Sequence, residues 1–136
     1  MTDAKGTPLV TQTTAANVHD GSVMIGLIDA IGPIRGKRGA PRRRPHRAAG
    51  DKAYHSRSNL VRLWIRRIEP LLPRRGEPQP PGLGVLRWVV ERTISWLHQF
   101  KRLRTRWERR ADMHQGMLKL AASVICLRIL LRPVLL

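Results

Sequence analysis

RWVVERTISWLHQFKRLRTRWERR, residues 87–110, combines regularly spaced apolar side chains with many basic ones. At about 100° per residue, its apolar side chains fall on one helical arc. That arc is formed by Val89, Trp96, Phe100, Leu103 and Trp107, with Leu97 and Val90 beside it. The opposite arc is formed by Arg87, Glu91, Ser95, His98 and Arg102. The stretch therefore predicts an amphipathic helix with a basic polar face that carries one carboxylate, Glu91.

Two explanations of Glu91 follow from the residues around it. The stretch has eight arginines and lysines and only two carboxylates. An ion pair with Arg87, one helical turn earlier, would stabilise the helix by about 0.2–0.5 kcal/mol. Alternatively, the carboxylate holds a divalent cation against a phosphate. Because two-metal phosphoryl transfer needs several oxygen ligands from different elements, Glu91 would require partners for that role.

The charge of the chain points to a polyanionic partner, most simply DNA or RNA. The net charge is +17 over 136 residues, so the acids are too few to neutralise the basic side chains. We expect the phosphate contacts to come from two basic clusters. Their members are Arg42, Arg43, Arg44, Arg87, Arg92, Lys101, Arg102, Arg104 and Arg106.

Length and apolar content limit the class of protein. The chain is long enough for one domain with a core and too short for two ordinary ones. A single cysteine, Cys126, excludes a disulfide within the chain, and the first thirty residues lack a signal-peptide pattern, so we expect a cytoplasmic protein. The longest apolar run, LAASVICLRILL, is interrupted by Arg128 and is too short to span a bilayer. We expect it to lie in a buried helix over about 113–131.

The first half of the chain predicts a strand, a helix and a basic loop. Residues 7–16 are rich in threonine and valine and predict a strand, preceded by a hairpin turn at Asp3 to Gly6. Asn17 or Asp20 is expected to cap a helix that ends at Gly32 and Pro33. Residues 33–47 contain only basic charges between glycines and prolines, and they predict an electrostatic loop.

Asp51 is the candidate second acid of a site. Residues 45–51 predict a short inner strand that leads to it, although alanine and glycine are poor strand formers. The alternative is a helix N-cap or a loop acid. A helix over about 56–68, an extended segment after it and a proline- and glycine-rich loop over 75–86 complete the region. Two helices are expected over 87–131.

The remaining acids, histidines and tryptophans give no second site. No other carboxylates cluster at metal-ligand spacing, the five histidines lack zinc spacing and Cys126 is isolated. Trp64, Trp96 and Trp107 lie on apolar arcs and are expected in the core. Trp88 lies off the arc beside Arg87 and is the candidate for stacking on a base.

Three segments, read in order, resemble one family of proteins. They are TDAKGTPLVTQTTAANVHD, RPHRAAGDKAYHS and RWVVERTISWLHQFKRLRTRWERRADMHQGMLKLAASVICLR. Together they resemble the DDE transposases of bacterial insertion sequences. Within these, the chain is similar to the insertion sequence five family of the insertion sequence four-like superfamily. The resemblance covers almost the whole chain.

The resemblance implies an α/β fold of the ribonuclease-H type, present here in part, with C-terminal helices. It implies an acidic triad that binds two magnesium ions for attack on a phosphodiester. The family's second aspartate matches Asp51 in DKAYHS. The family's glutamate matches Glu91, with Arg87 at the arginine position of the same signature. Under the resemblance, both Asp51 and Glu91 are catalytic and metal-binding residues.

Departures from the family pattern affect the expected activity. Gly84 and His98 stand at the tyrosine and lysine positions of the glutamate signature, and His55 stands where an aspartate is usual. The family's first aspartate is expected on a strand before residue 1, because Asp3 belongs to the later hairpin. We therefore expect residues 1–136 to form a partial catalytic domain that supplies two of three acids and does not cut DNA alone.

Two functions remain open at this point. The first is DNA transposition, in which the chain is the C-terminal part of a transposase that acts at insertion-sequence ends, with a transposase oligomer or an upstream-frame product as partner. The second is a non-catalytic basic protein that only binds nucleic acid. Whether the chain is an enzyme therefore stays open. A membrane partner is not expected.

Overall fold

The fold is that of a computed structural model, which describes residues 1–36, 38–78 and 82–131 of the chain. Two compact units are present. We call Ala15–Arg87 the central unit and Met1–Thr14 with the chain from Trp88 onward the terminal unit. The elements are α1 (Asp20–Asp29), β1 (Arg47–Ala49), a 3₁₀ turn (Lys52–Tyr54), α2 (Arg57–Ile65), β2 (Glu69–Leu71), α3 (Leu83–His98), α4 (Lys101–Arg104) and α5 (Ala111–Leu131).

The sheet of the central unit consists of two parallel strands. β1 and β2 pair with Arg47 opposite Glu69 and Ala49 opposite Leu71. The 3₁₀ turn and α2 connect the strands, so residues 47–71 form a β-α-β unit. The strand predicted before Asp51 and the extended segment predicted after α2 are therefore both present. The class is a mixture of helix and sheet, as the sequence predicted.

The core of the central unit lies between α1, α2 and β2. Its buried members are Met24, Ile25, Ile28, Leu63, Ile68 and Leu72, and Ala48, Tyr54 and Leu60 pack against them. Trp64, which the sequence placed in the core, is 64% exposed. It is adjacent to the fully buried Leu63, and a rotation of about 100° per residue turns it away from the core.

The first turn of α1 is capped by a residue other than the two that the sequence predicted. His19 is the N-cap, and its Nδ1 accepts a hydrogen bond from the Gly21 amide at 3.1 Å. The prediction that Asn17 or Asp20 caps the helix is therefore wrong. Imidazole was overlooked because Ser, Thr, Asp and Asn are the usual caps.

The basic loop closes as a hairpin. Ile34 and Arg42 form an antiparallel bridge with two backbone hydrogen bonds of 2.8 Å. Lys37, within this predicted loop, lies outside the described residues. In the loop predicted over 75–86, residues 79–81 lie outside the described part, and Leu83 already begins α3.

The terminal unit begins with the predicted hairpin turn but lacks the predicted strand over 7–16. Asp3 Oδ1 accepts hydrogen bonds from the amides of Lys5 and Thr7 at 2.9 and 2.8 Å, and Gly6 has a φ of +88°. Beyond one antiparallel bridge between Thr2 and Pro8, residues 7–16 join no ladder. The prediction of a strand is wrong because backbone amides and carbonyls of this segment form hydrogen bonds with groups outside any sheet.

Those groups are the start of the chain and a side chain of α5. The amide of Leu9 donates to the Met1 carbonyl at 3.0 Å. Gln115 accepts hydrogen bonds from the Thr13 amide and hydroxyl at 2.7 and 2.9 Å, and it donates to the Thr11 carbonyl at 2.8 Å. Segment 7–14 is thus attached along a helix and not along a sheet.

The long amphipathic helix predicted over 87–110 is interrupted. α3 ends at His98 and the short α4 starts at Lys101. The helical spacing ends with α4, and Trp107 lies beyond it in a segment without regular structure, where it is 74% exposed. The prediction that Trp107 packs in the core is therefore wrong. Before the break, Val89 is buried and Trp96 is half-buried, in agreement with the predicted arc, whereas Val90, expected beside that arc, is 44% exposed.

α5 is less buried than the sequence predicted. Only Ala121 and Ile125 of its 21 residues are buried, whereas Leu120, Leu127 and Leu130 are exposed. By length and composition the helix is able to cross a membrane, and 17% of its most apolar window is buried. The apolar run that was too short to span a bilayer covers residues 120–131, whereas the helix itself starts at Ala111. One helix of sufficient length and apolar content is weak evidence for a membrane segment.

Candidate metal and nucleic-acid site

Asp51 lies two residues beyond the carboxyl end of β1. Its side chain caps the 3₁₀ turn, where Oδ1 accepts a hydrogen bond of 2.6 Å from the Lys52 amide. The carboxyl ends of parallel strands are the usual place for ligand-binding residues in open α/β sheets. The N-cap contact is the alternative that the sequence left open for Asp51, and it leaves the carboxylate exposed at this edge.

The residues around Asp51 leave the turn little freedom. A Cβ at Gly50 would lie 2.9 Å from Leu72 Cδ2 and 3.2 Å from Tyr54 Cδ2, so a larger residue would require the Leu72 side chain to shift. The Gly50 amide donates to the Leu71 carbonyl at 3.3 Å, and the Tyr54 amide donates to the Asp51 carbonyl at 2.9 Å. Burial, together with the charges of Asp20 and Asp51, raises the pKa of the Tyr54 phenol.

Asn59 of α2 holds the far end of the same turn. It is 5% exposed, and its Nδ2 donates to the carbonyls of Tyr54 and Gly21, each at 2.9 Å. Both amide hydrogens are therefore used, and the 3₁₀ turn is joined to the start of α1. Asn59 is not among the site residues predicted from the sequence. The available signal was a polar residue one position before the apolar positions of α2, three residues after the Ser56 cap.

Glu91 lies on the exposed side of α3, as the sequence predicted. The other four members of the predicted polar arc, Arg87, Ser95, His98 and Arg102, are also exposed. On the opposite side, Val89 and Thr93 are buried. Glu91 belongs to the terminal unit and Asp51 to the central unit, so their sharing of one metal ion stays a prediction.

α3 is attached to the N-terminal hairpin by the residues that follow Glu91. The Thr93 hydroxyl lies 2.8 Å from the Gly6 carbonyl oxygen, to which it donates, and Arg92 Nη2 donates to the Lys5 carbonyl at 2.7 Å. These contacts flank the exposed face of the helix on one side and leave Glu91 on the surface.

Arg92 differs from the other predicted DNA contacts. Its guanidinium lies over the rings of Trp88 and Trp96, at 4.6 and 4.9 Å from their centroids. Together with the hydrogen bond to the Lys5 carbonyl, these two ring contacts engage the guanidinium within the terminal unit. Arg92 is half-buried, and its place in the DNA interface stays a prediction that the geometry does not favour.

The other eight predicted phosphate contacts are exposed. In the central unit these are Arg42, Arg43, Arg44 and Arg87, and in the terminal unit they are Lys101, Arg102, Arg104 and Arg106. Arg102 lies 3.3 Å from Glu108 Oε1, which partly neutralises it, and Arg106 Nε donates to the Glu108 carbonyl at 3.4 Å. Exposure permits phosphate contact but does not by itself identify it.

Each of the two acids has the chemistry that the expected metal prefers. Asp51 and Glu91 both offer hard carboxylate oxygens, which are the ligands that magnesium prefers. Over residues 1–36, 38–78 and 82–131, no group of three His, Cys, Asp or Glu side chains is positioned to hold an ion. To hold an ion, Asp51 or Glu91 would therefore need further oxygen ligands.

Comparison with known proteins places these residues in a family. Residues 83–126, which include Glu91, match the model of the transposase DDE domain. Over 93% of its length, the chain is 51% identical to a protein of Burkholderia cepacia named putative transposase for insertion sequence element IS402. No solved structure matches the chain.

The match covers only part of that relative. The chain spans 60% of the length of the Burkholderia cepacia protein. The identity is far above the level at which unrelated chains agree, and the family match falls on the helix that the sequence singled out. The protein therefore belongs to the DDE transposases of bacterial insertion sequences.

Proposed function

We propose that this chain takes part in DNA transposition by binding the ends of an insertion sequence and supplying Asp51 and Glu91 as metal ligands. The observation that carries the proposal is the location of Glu91, exposed on α3 within the segment that matches the transposase DDE domain. The position of Asp51 at the carboxyl end of a parallel strand supports it. The fold proposed for the intact protein is of the ribonuclease-H type.

The chemistry would depend on magnesium held by Asp51, Glu91 and a third carboxylate. When bound, the metal ions polarise the phosphodiester and activate the attacking oxygen. The chain's own contribution is to present two carboxylates from a strand end and a helix face, and to hold the phosphates with exposed arginines. Only Asp51 and Glu91 match the acid positions of the family pattern. We therefore propose that the 136-residue chain by itself does not cut DNA.

The DNA-binding part of the proposal rests on charge. The net charge is +17, and eight of the nine predicted contact residues are exposed. Release of counterions from DNA would make the binding steeply dependent on salt. We further propose a cytoplasmic, DNA-associated location and assembly with other transposase chains or with an upstream-frame product, as expected from the family.

The test is binding to terminal-repeat DNA with and without magnesium, measured by fluorescence anisotropy at several salt concentrations. We expect magnesium to strengthen binding beyond its effect as a salt, and Glu91→Gln to abolish that increment. Glu77→Gln is the matched control, because it makes the same change of charge at an exposed acid outside the family pattern. Equal magnesium responses in both variants would contradict the metal role of Glu91.

A nicking assay tests the proposed inactivity. Purified wild-type chain should leave supercoiled terminal-repeat DNA intact in magnesium. Nicks that disappear with Glu91→Ala would overturn the proposal that the chain cannot cut alone.

The second function, non-catalytic nucleic-acid binding, is favoured by the contact of Asp51 with the Lys52 amide. This N-cap role explains the residue without a metal. Under this alternative, DNA binding depends on salt but is insensitive to both Asp51→Asn and Glu91→Gln beyond the effect of charge. The two functions are therefore separated by the same binding experiment.

A further inference from the structure

We infer that Asn59 is a positioning residue that fixes the carboxylate of Asp51, an inference that rests on the metal role proposed above for Asp51. The relevant geometry lies entirely in the central unit. Asn59 does not contact Asp51, so its effect would pass through the 3₁₀ turn that Asp51 begins. Each step of that path is a hydrogen bond of 2.6–2.9 Å within the central unit.

The first step joins Asn59 to the end of the turn. Its Nδ2 donates to the Tyr54 carbonyl and to the Gly21 carbonyl, each at 2.9 Å. Because Asn59 is 5% exposed, water cannot easily replace these bonds. The amide thus holds Tyr54 at a constant distance from α1.

The second step joins Tyr54 to Asp51. The Tyr54 amide donates to the Asp51 carbonyl at 2.9 Å, and the Lys52 amide donates to Asp51 Oδ1 at 2.6 Å. The position of the carboxylate therefore depends on a turn whose last residue is held by Asn59. If Tyr54 moved, the turn and its cap would loosen together.

The other side of Asp51 is fixed independently. A Cβ at Gly50 would press against the Leu72 and Tyr54 side chains, and the Gly50 amide is bonded to the Leu71 carbonyl. Likewise, a Cβ at Gly21 would lie 3.0 Å from the Ala53 carbonyl oxygen, so α1 packs closely against the middle of the turn. Asn59 is the side chain that ties these backbone segments together by hydrogen bonds.

A positioned carboxylate is what a metal site requires. Ligands must be held close to the productive geometry by packing and by hydrogen bonds behind them, and loss of such a supporting residue costs about 10–100-fold in metal affinity. An exposed Asp51 on a loose turn would sample many orientations and bind an ion weakly. Asn59 would restrict that sampling.

The first experiment needs no metal and measures amide hydrogen exchange in the full chain by NMR. In Asn59→Ala, we expect the amides of Lys52 and Tyr54 to lose protection. Leu63→Ala is the control, because Leu63 is fully buried on the same helix but has no hydrogen bond to the turn. Equal loss of protection in both variants would show a general loss of stability and would overturn the inference.

The second experiment adds manganese as the probe and measures its affinity from the paramagnetic broadening of the Asp51 and Lys52 amides. We expect Asn59→Ala to weaken binding about tenfold or more, and Leu63→Ala to leave it within about twofold at a temperature where both are folded. Asn59→Ser keeps one donor and should fall between wild type and Asn59→Ala. It also serves if the alanine variant does not fold.

Asp51→Asn separates the two levels of the proposal. If wild-type broadening persists in Asp51→Asn, Asp51 is not a ligand and the proposed metal role fails, whereas the exchange experiment still decides whether Asn59 fixes the turn. If broadening needs Asp51 but is unchanged in Asn59→Ala, the metal role stands and the inference about Asn59 is overturned.

Discussion

The Thr93 hydroxyl donates to the carbonyl of Gly6 at 2.8 Å, and a Cβ on Gly6 would lie 2.9 Å from the Thr93 hydroxyl oxygen. The contact joins the N-terminal hairpin to α3, next to the residue proposed as a metal ligand. Both partners are constrained: Gly6 has a φ of +88°, and Thr93 is buried. The attachment of the hairpin therefore depends on the absence of a side chain at residue 6.

Gly6→Ala should destabilise the terminal unit. The positive φ costs an alanine about 1–2 kcal/mol, and the steric contact with Thr93 adds roughly 1–3 kcal/mol. Gly39→Ala is the matched control, because its φ is +91° and nothing lies within 4 Å of an added Cβ. Urea denaturation should show a larger loss for Gly6→Ala, and equal losses would mean that the contact with Thr93 is not formed.

Arg92→Ala should lower stability without changing the salt dependence of DNA binding. Loss of two ring contacts and one hydrogen bond is expected to cost roughly 1–2 kcal/mol. Since its guanidinium is occupied by Trp88, Trp96 and the Lys5 carbonyl, the slope of log K against log salt should stay constant.

The exposed Arg104 provides the comparison. Arg104→Ala should reduce that slope by about 0.9, the value for one phosphate contact, and leave the unfolding midpoint unchanged. A reduced slope in Arg92→Ala at full stability would instead place Arg92 in the DNA interface, as the sequence first indicated.

Two apolar residues of α5 that lie two positions apart should lose very different amounts of stability when they are truncated to alanine. Ile125 is buried and Leu127 is 53% exposed, although both are large and apolar. Ile125→Ala should cost about 2–5 kcal/mol, whereas Leu127→Ala should change stability by less than about 0.5 kcal/mol. Thermal unfolding of both variants checks this, and a comparable loss for Leu127→Ala would show that its face of the helix is covered in solution.

The ion pair between α1 and the end of α2 should make stability depend on acid pH. The Arg66 guanidinium donates to both Asp29 oxygens, at 2.8 and 2.7 Å, and these hydrogen bonds lower the pKa of the Asp29 carboxyl. Its contribution is therefore present above the unfolded-state value of about 3.9. The contribution is lost as pH falls through the lowered folded-state pKa.

Asp29→Asn should accordingly lower the melting temperature at pH 7, and the difference from wild type should disappear at the acid end of the titration. Asp112→Asn is the control. Its pKa is also lowered by a hydrogen bond, from Arg110. However, those residues are two positions apart and stay close in the unfolded chain, so the effect on folding should be smaller. A pH-independent difference for Asp29→Asn would refute this account.

Local patterns anticipated much of what this chain forms. The period of residues 87–98 correctly predicted which side of α3 is exposed, because the arc depends only on helical geometry. The short strand before Asp51 and the hairpin turn at residues 3–6 were also correctly predicted. The strand over 7–16 was not, because its backbone is bonded to Met1 and Gln115, and a hydrogen bond to a residue about a hundred positions away leaves no local signal.

Residue identity and order suffice for the family and for the basic charge, and they single out Asp51 and Glu91 as candidate metal ligands. Only the folded chain shows which polar groups are already engaged in internal contacts. In it, the Arg92 guanidinium lies over the rings of Trp88 and Trp96, and the Asn59 side chain is bonded to the end of the turn that Asp51 begins. Those assignments depend on which backbone segments approach each other in space, and such proximity is a property of the folded chain.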